Sequence, residues 1–249
     1  MDDFQQMRSS FEGTRLDRWF ESYERCENFL FYPHEEVVKF VSRWIQKRVG
    51  LHEWRDVRPK AAGNRVLDVG CGIGQHLVYF TQERFDAYGV DLAPNAVKFA
   101  RNWLESIGVE DAERRVLQGS AQCLPFPSEH FDVAISRGVL DSMSRELAQE
   151  AVKEIFRILR PGGYLYCDLI SASAEGDPTE VGEVFVDSAH EFGTVQSYFD
   201  VDAARNLLSE FEELDLFQIE HISHKRTSRH GRFYIVAQKP IGDPGSVPV

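Results

Sequence analysis

A run of apolar residues that leads directly into a glycine-rich turn is the feature that most constrains how this chain can fold. The segment reads Val66-Leu67-Asp68-Val69-Gly70-Cys71-Gly72-Ile73-Gly74. A short apolar run bounded by glycine is typical of a buried strand. Glycines in the following turn allow positive φ angles and let the backbone approach a ligand closely. The segment therefore predicts a buried strand whose carboxyl end carries a ligand-binding turn.

Strand and helix patterns alternate after this turn. We predict strands over residues 65–69, 87–91, 115–118, 131–136 and 164–170, and a final antiparallel pair over 214–222 and 232–238. Ser144 and Asp200 are predicted to cap helices, and Pro161-Gly162-Gly163 is predicted to end the first of these. Such alternation favours an α/β fold, a doubly wound, mostly parallel seven-stranded sheet with an antiparallel last strand. Ligands of such sheets bind beyond the carboxyl ends of the strands, where the strand order reverses.

Two amphipathic helices are predicted before the sheet. The first has apolar residues at helical spacing, namely Leu16, Trp19, Phe20 and Tyr23. The second opens at Pro33 and is expected to end at Lys47, Arg48 and Gly50. Their apolar stripes are typical of packing faces. We predict an N-terminal helical lid over 1–58, the α/β domain over 59–240, and a Pro/Gly-rich flexible tail over 241–249.

Composition narrows the function classes. The net charge of −12 gives no basic footprint of the kind that neutralises nucleic-acid phosphates, so a nucleic-acid partner is disfavoured. The one dense basic stretch, residues 224–230, is interpreted as a solvated loop. No apolar run is long enough to span a membrane, and the polar N-terminus does not resemble a signal peptide. Four scattered cysteines and unclustered histidines predict no metal site, and together these features predict a soluble, cytoplasmic protein.

Glycine spacing argues against a dinucleotide site. The Gly-x-Gly-x-x-Gly fingerprint needs a third glycine, but Gly70-x-Gly72 is followed three positions on by Gln75, and Gly72-x-Gly74 by Leu77. An acidic residue directly before the turn, Asp68, would also face a pyrophosphate unfavourably. An NAD-dependent oxidoreductase is therefore disfavoured.

The pattern Asp68-x-Gly70-x-Gly72-x-Gly74 resembles motif I of class I S-adenosylmethionine (SAM)-dependent methyltransferases. Asp91, at the end of the second predicted strand, resembles the acid that accepts hydrogen bonds from the ribose hydroxyls in that family, and Leu92 would lie along the adenine. Ser120 stands where the family usually has Asp, so a backbone contact or Gln122 would replace that carboxylate. The resemblance implies SAM as cofactor and the following cofactor-binding residues: Asp68, Gly70, Cys71, Gly72, Gly74, Asp91, Leu92, Ser120, Ala121, Gln122, Ser136, Arg137 and Tyr32.

The methyl acceptor leaves a weaker signal. Residues 171–199 form a long predicted loop, which makes them a functional candidate, although their apolar residues also fit an edge strand. If the segment lines the acceptor site, His190 is the candidate general base, and Gln196 and Tyr198 bind acceptor hydroxyls. Asp187 and Glu191 lie beside them.

Three functions remain open at this point. A looser resemblance to bacterial methyltransferases of surface-glycan and small-molecule pathways favours methyl transfer to an oxygen or nitrogen of a small polar acceptor, such as a sugar or sugar nucleotide. It is carried by residues 32–40, 138–143 and 193–199. A protein or RNA methyltransferase and a non-catalytic SAM-binding subunit are the alternatives. The sequence carries no signal for an oligomeric state.

Overall fold

The computed structural model describes residues 17, 19–58, 63–172, 182–185, 195–223 and 228–242. Within these ranges, every helix is too short or too polar to cross a lipid bilayer. Residues 19–24 are helical. They are followed by α1 (Glu35–Phe40), which continues into a π-helical turn, Val41–Ile45, and by a small hairpin of β1 (Gln46–Arg48) and β2 (Trp54–Asp56).

Among the described residues, the central sheet contains nine strands. They are β3 (Arg65–Val69), β4 (Asp86–Asp91), β5 (Val116–Gln118), β6 (Phe131–Ser136), β7 (Leu159–Ser171), β8 (Glu183–Phe185), β9 (Val195–Phe199), β10 (Glu212–Ser223) and β11 (Ser228–Gln238). Seven of them form one path in the order β10-β11-β7-β6-β3-β4-β5, and β8 and β9 branch from the end of β7. Strands β3 to β7 pair in parallel, whereas β11 is antiparallel to both β7 and β10. The predicted fold class is therefore confirmed.

Helices cover both faces of the sheet. They are α2 (Gln75–Gln82), α3 (Pro94–Ser106), α4 (Ala112–Arg115), α5 (Arg145–Ile158) and α6 (Val201–Leu207). One apolar cluster joins α5 and α6 to the sheet, and a second joins α1, α2 and α3 to the opposite face. Val66, Leu67 and Val69 of β3 have no exposed surface, as expected for a strand buried on both sides. The sheet's strand order reverses beside β3, whose carboxyl end carries the glycine turn.

The predicted helix caps are confirmed. The Ser144 hydroxyl accepts a hydrogen bond from the Leu147 amide at the start of α5. The Asp200 carboxylate accepts one from the Ala203 amide, 2.7 Å away, at the start of α6. Both side chains satisfy amides that have no partner within the helix.

Two predicted boundaries were wrong. Lys47 and Arg48 belong to β1 and not to a helix end, because the backbone turns extended at Gln46 and Arg48 pairs with Trp54. Strand β7 begins at Leu159, before the Pro-Gly-Gly turn, because Leu159 pairs with Phe131. In both cases pairing with another strand overrides the local signal. In the segment after β7, the edge-strand alternative is the one found for residues 195–199, since β9 extends the sheet beside Ile170.

Candidate active site

The turn after β3 is built from glycines in left-handed conformations. Gly70, Gly72 and Gly74 have φ angles of 77°, 54° and 95°. The Gly70 amide donates to the Val90 carbonyl at 2.7 Å, which folds the turn back onto the end of β4. A Cβ atom on Gly70 would lie 2.2 Å from Cγ2 of Val139. The turn therefore needs glycine here both for its φ angle and for space.

Asp91 is held at the end of β4 by two backbone amides. The Gly72 amide donates to Oδ2 at 2.8 Å, and the Ala93 amide donates to Oδ1 at 2.9 Å. Burial raises the pKa of Asp91 to about 6, although these hydrogen bonds oppose the shift. The glycine turn thus fixes the position of the carboxylate, whose oxygens keep lone pairs for a ligand.

A cavity of about 470 Å³ opens at these strand ends. One wall comes from the turn after β3 and the ends of β4 and β5, and includes Gly70, Gly72, Asp91, Leu92, Gly119 and Ala121. We call this the cofactor end. The opposite wall follows β6, β7, β9 and β11 and includes Arg137, Asp141, Met143, Ile170, Gln196 and Arg232. We call this the acceptor end.

The N-terminal segment covers the cavity, which Trp19, Tyr23, Phe29 and His34 line. The Tyr23 hydroxyl lies so close to the turn that a Cβ on Gly72 would be 2.7 Å from it. Burial, together with the nearby charge of Asp91, raises the pKa of Tyr23. The side-chain amide of Asn95, on α3, donates to the Phe20 carbonyl at 2.8 Å and ties the segment to that helix.

Tyr32 does not occupy the predicted position near the cofactor. Its side chain is 76% exposed and does not line the cavity. Its neighbour Phe31 faces α3 instead, with its ring centroid 5.2 Å from that of Trp103. Phe29 packs on Phe99 at 4.8 Å. The assignment of Tyr32 as a cofactor-binding residue is corrected, because these two phenylalanines anchor the segment and leave Tyr32 on the outside.

Asp68 reaches the cavity through two histidines. Its Oδ2 lies 3.3 Å from Nδ1 of the buried His76, whose Nε2 accepts a hydrogen bond from the His34 amide at 3.4 Å. This arrangement requires the proton of a neutral His76 to sit on Nδ1. Burial and the neighbouring Arg137 lower the pKa of His34 to about 4, so His34 is neutral at pH 7.

Four of the remaining predicted cofactor residues, Cys71, Ser120, Gln122 and Ser136, do not line the cavity. Cys71 is buried and packs against Gly89. Ser120 and Gln122 hydrogen-bond to each other, and Gln122 also donates to the Met143 sulfur at 3.1 Å. Neither lines the cavity, whereas the intervening Ala121 does. Ser136 is fully buried.

A cluster of two buried aspartates and two partly exposed arginines, which we call the ion quartet, lies at the acceptor end. It consists of Arg137, Asp141, Asp168 and Arg232. The Arg232 Nε lies 2.8 Å from Asp168 Oδ2, and its Nη2 pairs with Asp141. The Gly138 amide donates to Asp168 Oδ1 at 2.6 Å. Burial raises the pKa of Asp141 to about 6, opposed by Arg232.

Sequence reasoning missed Asp168 and Arg232. An aspartate inside the apolar strand Tyr166-Cys167-Asp168-Leu169-Ile170 is a signal that could have found the first, because a buried carboxylate needs a partner. No local pattern identifies Arg232 as that partner, since 64 residues separate the two.

Of the predicted catalytic residues, Gln196 lines the cavity. Tyr198 lies beside it, and its hydroxyl donates to Gln196 Oε1 at 3.2 Å. Strand β9 is fixed to the loop after β6, because the Ser197 amide donates to the Asp141 carbonyl at 2.8 Å. His190, with Asp187 and Glu191, lies outside the described residues.

The cofactor end fits a ligand that carries hydroxyls and positive charge. Asp91 offers acceptor oxygens, and the glycines leave a cradle that side chains would fill. Within the described ranges, Gln75 Oε1 is buried without a hydrogen-bond partner, and Gln75 lines the cavity. The same ranges contain no group of acidic, histidine or cysteine side chains arranged to hold a metal ion.

Comparison with known proteins identifies this architecture. Residues 67–167, from the glycine turn to β7, match a family model described as a methyltransferase domain. Residues 67–167 therefore resemble a methyltransferase domain, and the match together with the fold implies SAM as the methyl donor. A solved SAM-dependent methyltransferase from Methanosarcina mazei covers 75% of this chain and all of its own length, with a TM-score of 0.60 at 22% identity. That likeness concerns the fold.

Curated methyltransferases match part of the chain. An uncharacterized methyltransferase of Bacillus subtilis is 33% identical over 117 residues, which is 47% of this chain and 44% of that protein. A fatty-acid O-methyltransferase of Mycolicibacterium smegmatis is 38% identical over 109 residues, 43% of this chain and 37% of that protein. The chain spans about half the length of the curated relatives it matches.

Proposed function

We propose that this methyltransferase domain transfers the methyl group of SAM to an oxygen or nitrogen of a small polar acceptor, with sugars and sugar nucleotides as the first class to test. One observation carries the proposal. A single cavity joins the cofactor end, with Asp91 and the glycine turn, to a polar acceptor end with Asp141 and Gln196.

The strand order gives the two ends a suitable separation. Asp91 ends β4 and Arg232 lies on β11, with β3, β6 and β7 between them. Four strand spacings of about 4.8 Å amount to roughly 19 Å. An extended cofactor bound at β4 and β3 would therefore leave room for an acceptor over β6, β7 and β11. The N-terminal segment covers both parts, which favours a small acceptor over a macromolecule.

Methyl transfer needs alignment more than acid–base chemistry. SAM supplies an activated methyl group, and the chain has to orient it, hold the acceptor in line and keep water out. Asp91 would hold the ribose hydroxyls, and Trp19 and Tyr23 would close the cavity. The names of the relatives point to different acceptors: they include a fatty-acid O-methyltransferase, a ubiquinone/menaquinone biosynthesis C-methyltransferase and a sterol 4-C-methyltransferase.

A hydroxyl acceptor also needs a group to take its proton. Among the residues that the structure describes, Asp141 contributes a carboxylate to the acceptor end. Its pKa is about 6, so it is ionised at neutral pH. His190 remains a second proposal for this role, since histidine also suits proton removal near neutral pH. We expect Asp141→Asn to lower turnover by about 10²–10⁴-fold if Asp141 is the base.

The decisive experiment for the proposed function is calorimetric titration with SAM, S-adenosylhomocysteine (SAH) and NAD, followed by an SAH-release assay on a panel of sugars, sugar nucleotides, amines and acids. We expect SAM and SAH to bind and NAD not to bind. Binding of NAD without SAM would contradict the cofactor assignment. Binding of SAM with methylation only of protein or RNA would contradict the proposed acceptor class.

A further inference from the structure

Arg137 has hydrogen-bond donors that no group in the described part of the chain occupies. It follows β6 directly, lines the acceptor end, and its side chain is 32% exposed. Its one ion pair in the described part of the chain runs from Nε to Asp168 Oδ2, at 3.5 Å. A guanidinium group has five N–H donors, so both terminal amino groups of Arg137 keep donors for a further partner.

The negative charges of the ion quartet are engaged mainly by other groups. Asp168 Oδ2 pairs with Arg232 Nε at 2.8 Å, and Asp168 Oδ1 accepts a hydrogen bond from the Gly138 amide at 2.6 Å. Arg137 Nε lies farther from Asp168, at 3.5 Å. Asp141 pairs with Arg232. The positive charge of Arg137 is therefore the least compensated of the four.

Three other titratable groups, His34, His76 and Glu27, line the same cavity, and each is either neutral or already paired. His34 is neutral at pH 7, because burial and Arg137 itself lower its pKa to about 4. His76 is engaged by Asp68 and by the His34 amide. Glu27 lines the cavity from the N-terminal segment, but its carboxylate pairs with Arg25 at 3.5 Å. Among the described residues, an anionic ligand would therefore compete only with Asp168 for the Arg137 guanidinium group.

We propose that Arg137 binds a carboxylate group of the methyl acceptor, so that the acceptor is a small organic acid. The inference rests on the proposed function and narrows its acceptor class. An arginine fixed through Nε presents its two terminal amino groups as a planar fork, which matches the two oxygens of a carboxylate. Here Asp168 holds the Nε atom of Arg137. The loop that carries Asp141 and Met143 begins at Gly138, directly after Arg137.

The cofactor itself has a carboxylate, on its methionine part, and this is the alternative source of the same chemistry. Strand order separates the two. Arg137 follows β6 and contacts Asp168 on β7, whereas the glycine turn and Asp91 lie on the other side, after β3 and β4. Arg137 therefore faces the acceptor end of the cavity, and the experiment below distinguishes the two carboxylates.

The test measures binding of matched probes to the SAH-saturated protein by calorimetry or ligand-observed NMR. The acidic probes are benzoate and glucuronate, and their neutral counterparts are benzamide and glucose. For the wild type we expect at least one acid to bind at least tenfold more tightly than its neutral counterpart. Arg137→Gln should remove that preference, Arg137→Lys should retain part of it, and Arg205→Gln, at an exposed site, should retain all of it.

Several outcomes would overturn the inference. It fails if neither acid binds better than its neutral counterpart, or if Arg137→Gln keeps the preference. It also fails if Arg137→Gln weakens SAH at least tenfold but leaves 5′-methylthioadenosine, which lacks the amino-acid part, unchanged; Arg137 would then bind the cofactor. Thermal unfolding of each variant checks that it is folded. Absence of SAH binding to the wild type would instead contradict the proposed function.

Discussion

The cofactor end of the cavity is held by contacts between residues close in the chain, whereas the acceptor end is held by contacts between distant ones. Gly72 and Asp91, which meet in a 2.8 Å hydrogen bond, are 19 residues apart. Asp141 and Arg232 are 91 residues apart and come from a loop after β6 and from β11. The comparison shows that the glycine turn and Asp91 come from one βαβ unit, whereas the ion pairs of the acceptor end join strands from distant parts of the chain.

The two ends also differ in how they treat charge. At the cofactor end Asp91 is held by backbone amides, without a cation partner among the residues that the structure describes. At the acceptor end two carboxylates and two guanidinium groups compensate each other. The first arrangement suits a ligand that brings its own hydroxyls and positive charge. The second lets buried charges persist before any ligand arrives.

The largest effect is expected from breaking the ion quartet. Arg232→Met leaves Asp141 and Asp168 buried with only Arg137 as counter-ion, and we expect it to lower the free energy of unfolding by about 3–5 kcal/mol. Arg205→Met is the matched control: Arg205 pairs with Glu213 and is 55% exposed. Its loss should have a much smaller effect, because exposed ion pairs contribute little to stability. Urea unfolding measures both. Equal losses would show that the quartet is not a stabilising unit.

The next effect separates backbone strain from lack of space in the glycine turn. Gly70→Ala places a side chain on a residue with a φ angle of 77°, and the added Cβ also clashes with Val139. We expect the two effects together to lower the free energy of unfolding by about 2–5 kcal/mol. Gly108 has a similar φ angle of 90°, but a Cβ added by Gly108→Ala would have no atom within 4 Å. It should cost only about 1–2 kcal/mol. The Val139→Ala change should rescue part of the Gly70→Ala loss; no rescue would contradict the packing argument.

A smaller effect is expected on cofactor binding. Asp91→Ala removes the acceptor oxygens at the end of β4, and should weaken SAH binding by about 2–4 kcal/mol. Asp86→Asn changes another carboxylate on the same strand, which pairs with Arg115 and Arg65 and lies outside the cavity. Calorimetry should show an unchanged SAH affinity for that control. If Arg232→Met weakened SAH as strongly as Asp91→Ala, the two ends would not be separate sites.

The smallest effect is a pH dependence of cofactor affinity. Burial raises the pKa of Asp91 from its usual 3.8 to about 6, so the protonated form is favoured in the free protein below that pH. Ribose hydroxyls bind the ionised form better, so binding below pH 6 should release a proton. We expect SAH affinity to fall about tenfold from pH 7 to pH 5, since one pKa unit corresponds to about 1.4 kcal/mol.

Asp91→Asn is the control for this pH dependence, because its side chain does not titrate. Its SAH affinity should be lower at pH 7 and should stay level between pH 7 and pH 5. A pH dependence that persisted in Asp91→Asn would assign the titration to another group, such as Asp141, whose pKa is also about 6.

The sequence by itself determined the sheet, the glycine turn and Asp91. Periodicity identifies buried strands, and the motif Asp68-x-Gly70-x-Gly72-x-Gly74 reports a backbone shape that few residues can adopt. Ser144 and Asp200 were equally readable as caps, because a cap depends on a contact three residues away. These features depend on residues close together in the chain, so the local sequence pattern predicts them.

Only the tertiary structure decided the acceptor end and the path of the N-terminal segment. Lys47 and Arg48 carry a helix-end signal, yet strand pairing with residues 54–56 overrides it. Tyr32 was predicted to bind the cofactor, yet the packing of Phe31 on α3 leaves the Tyr32 side chain exposed. Asp168 meets Arg232 only because antiparallel β11 lies beside β7. Contacts between residues so far apart depend on which strands become neighbours, and that order is set by packing of the whole sheet.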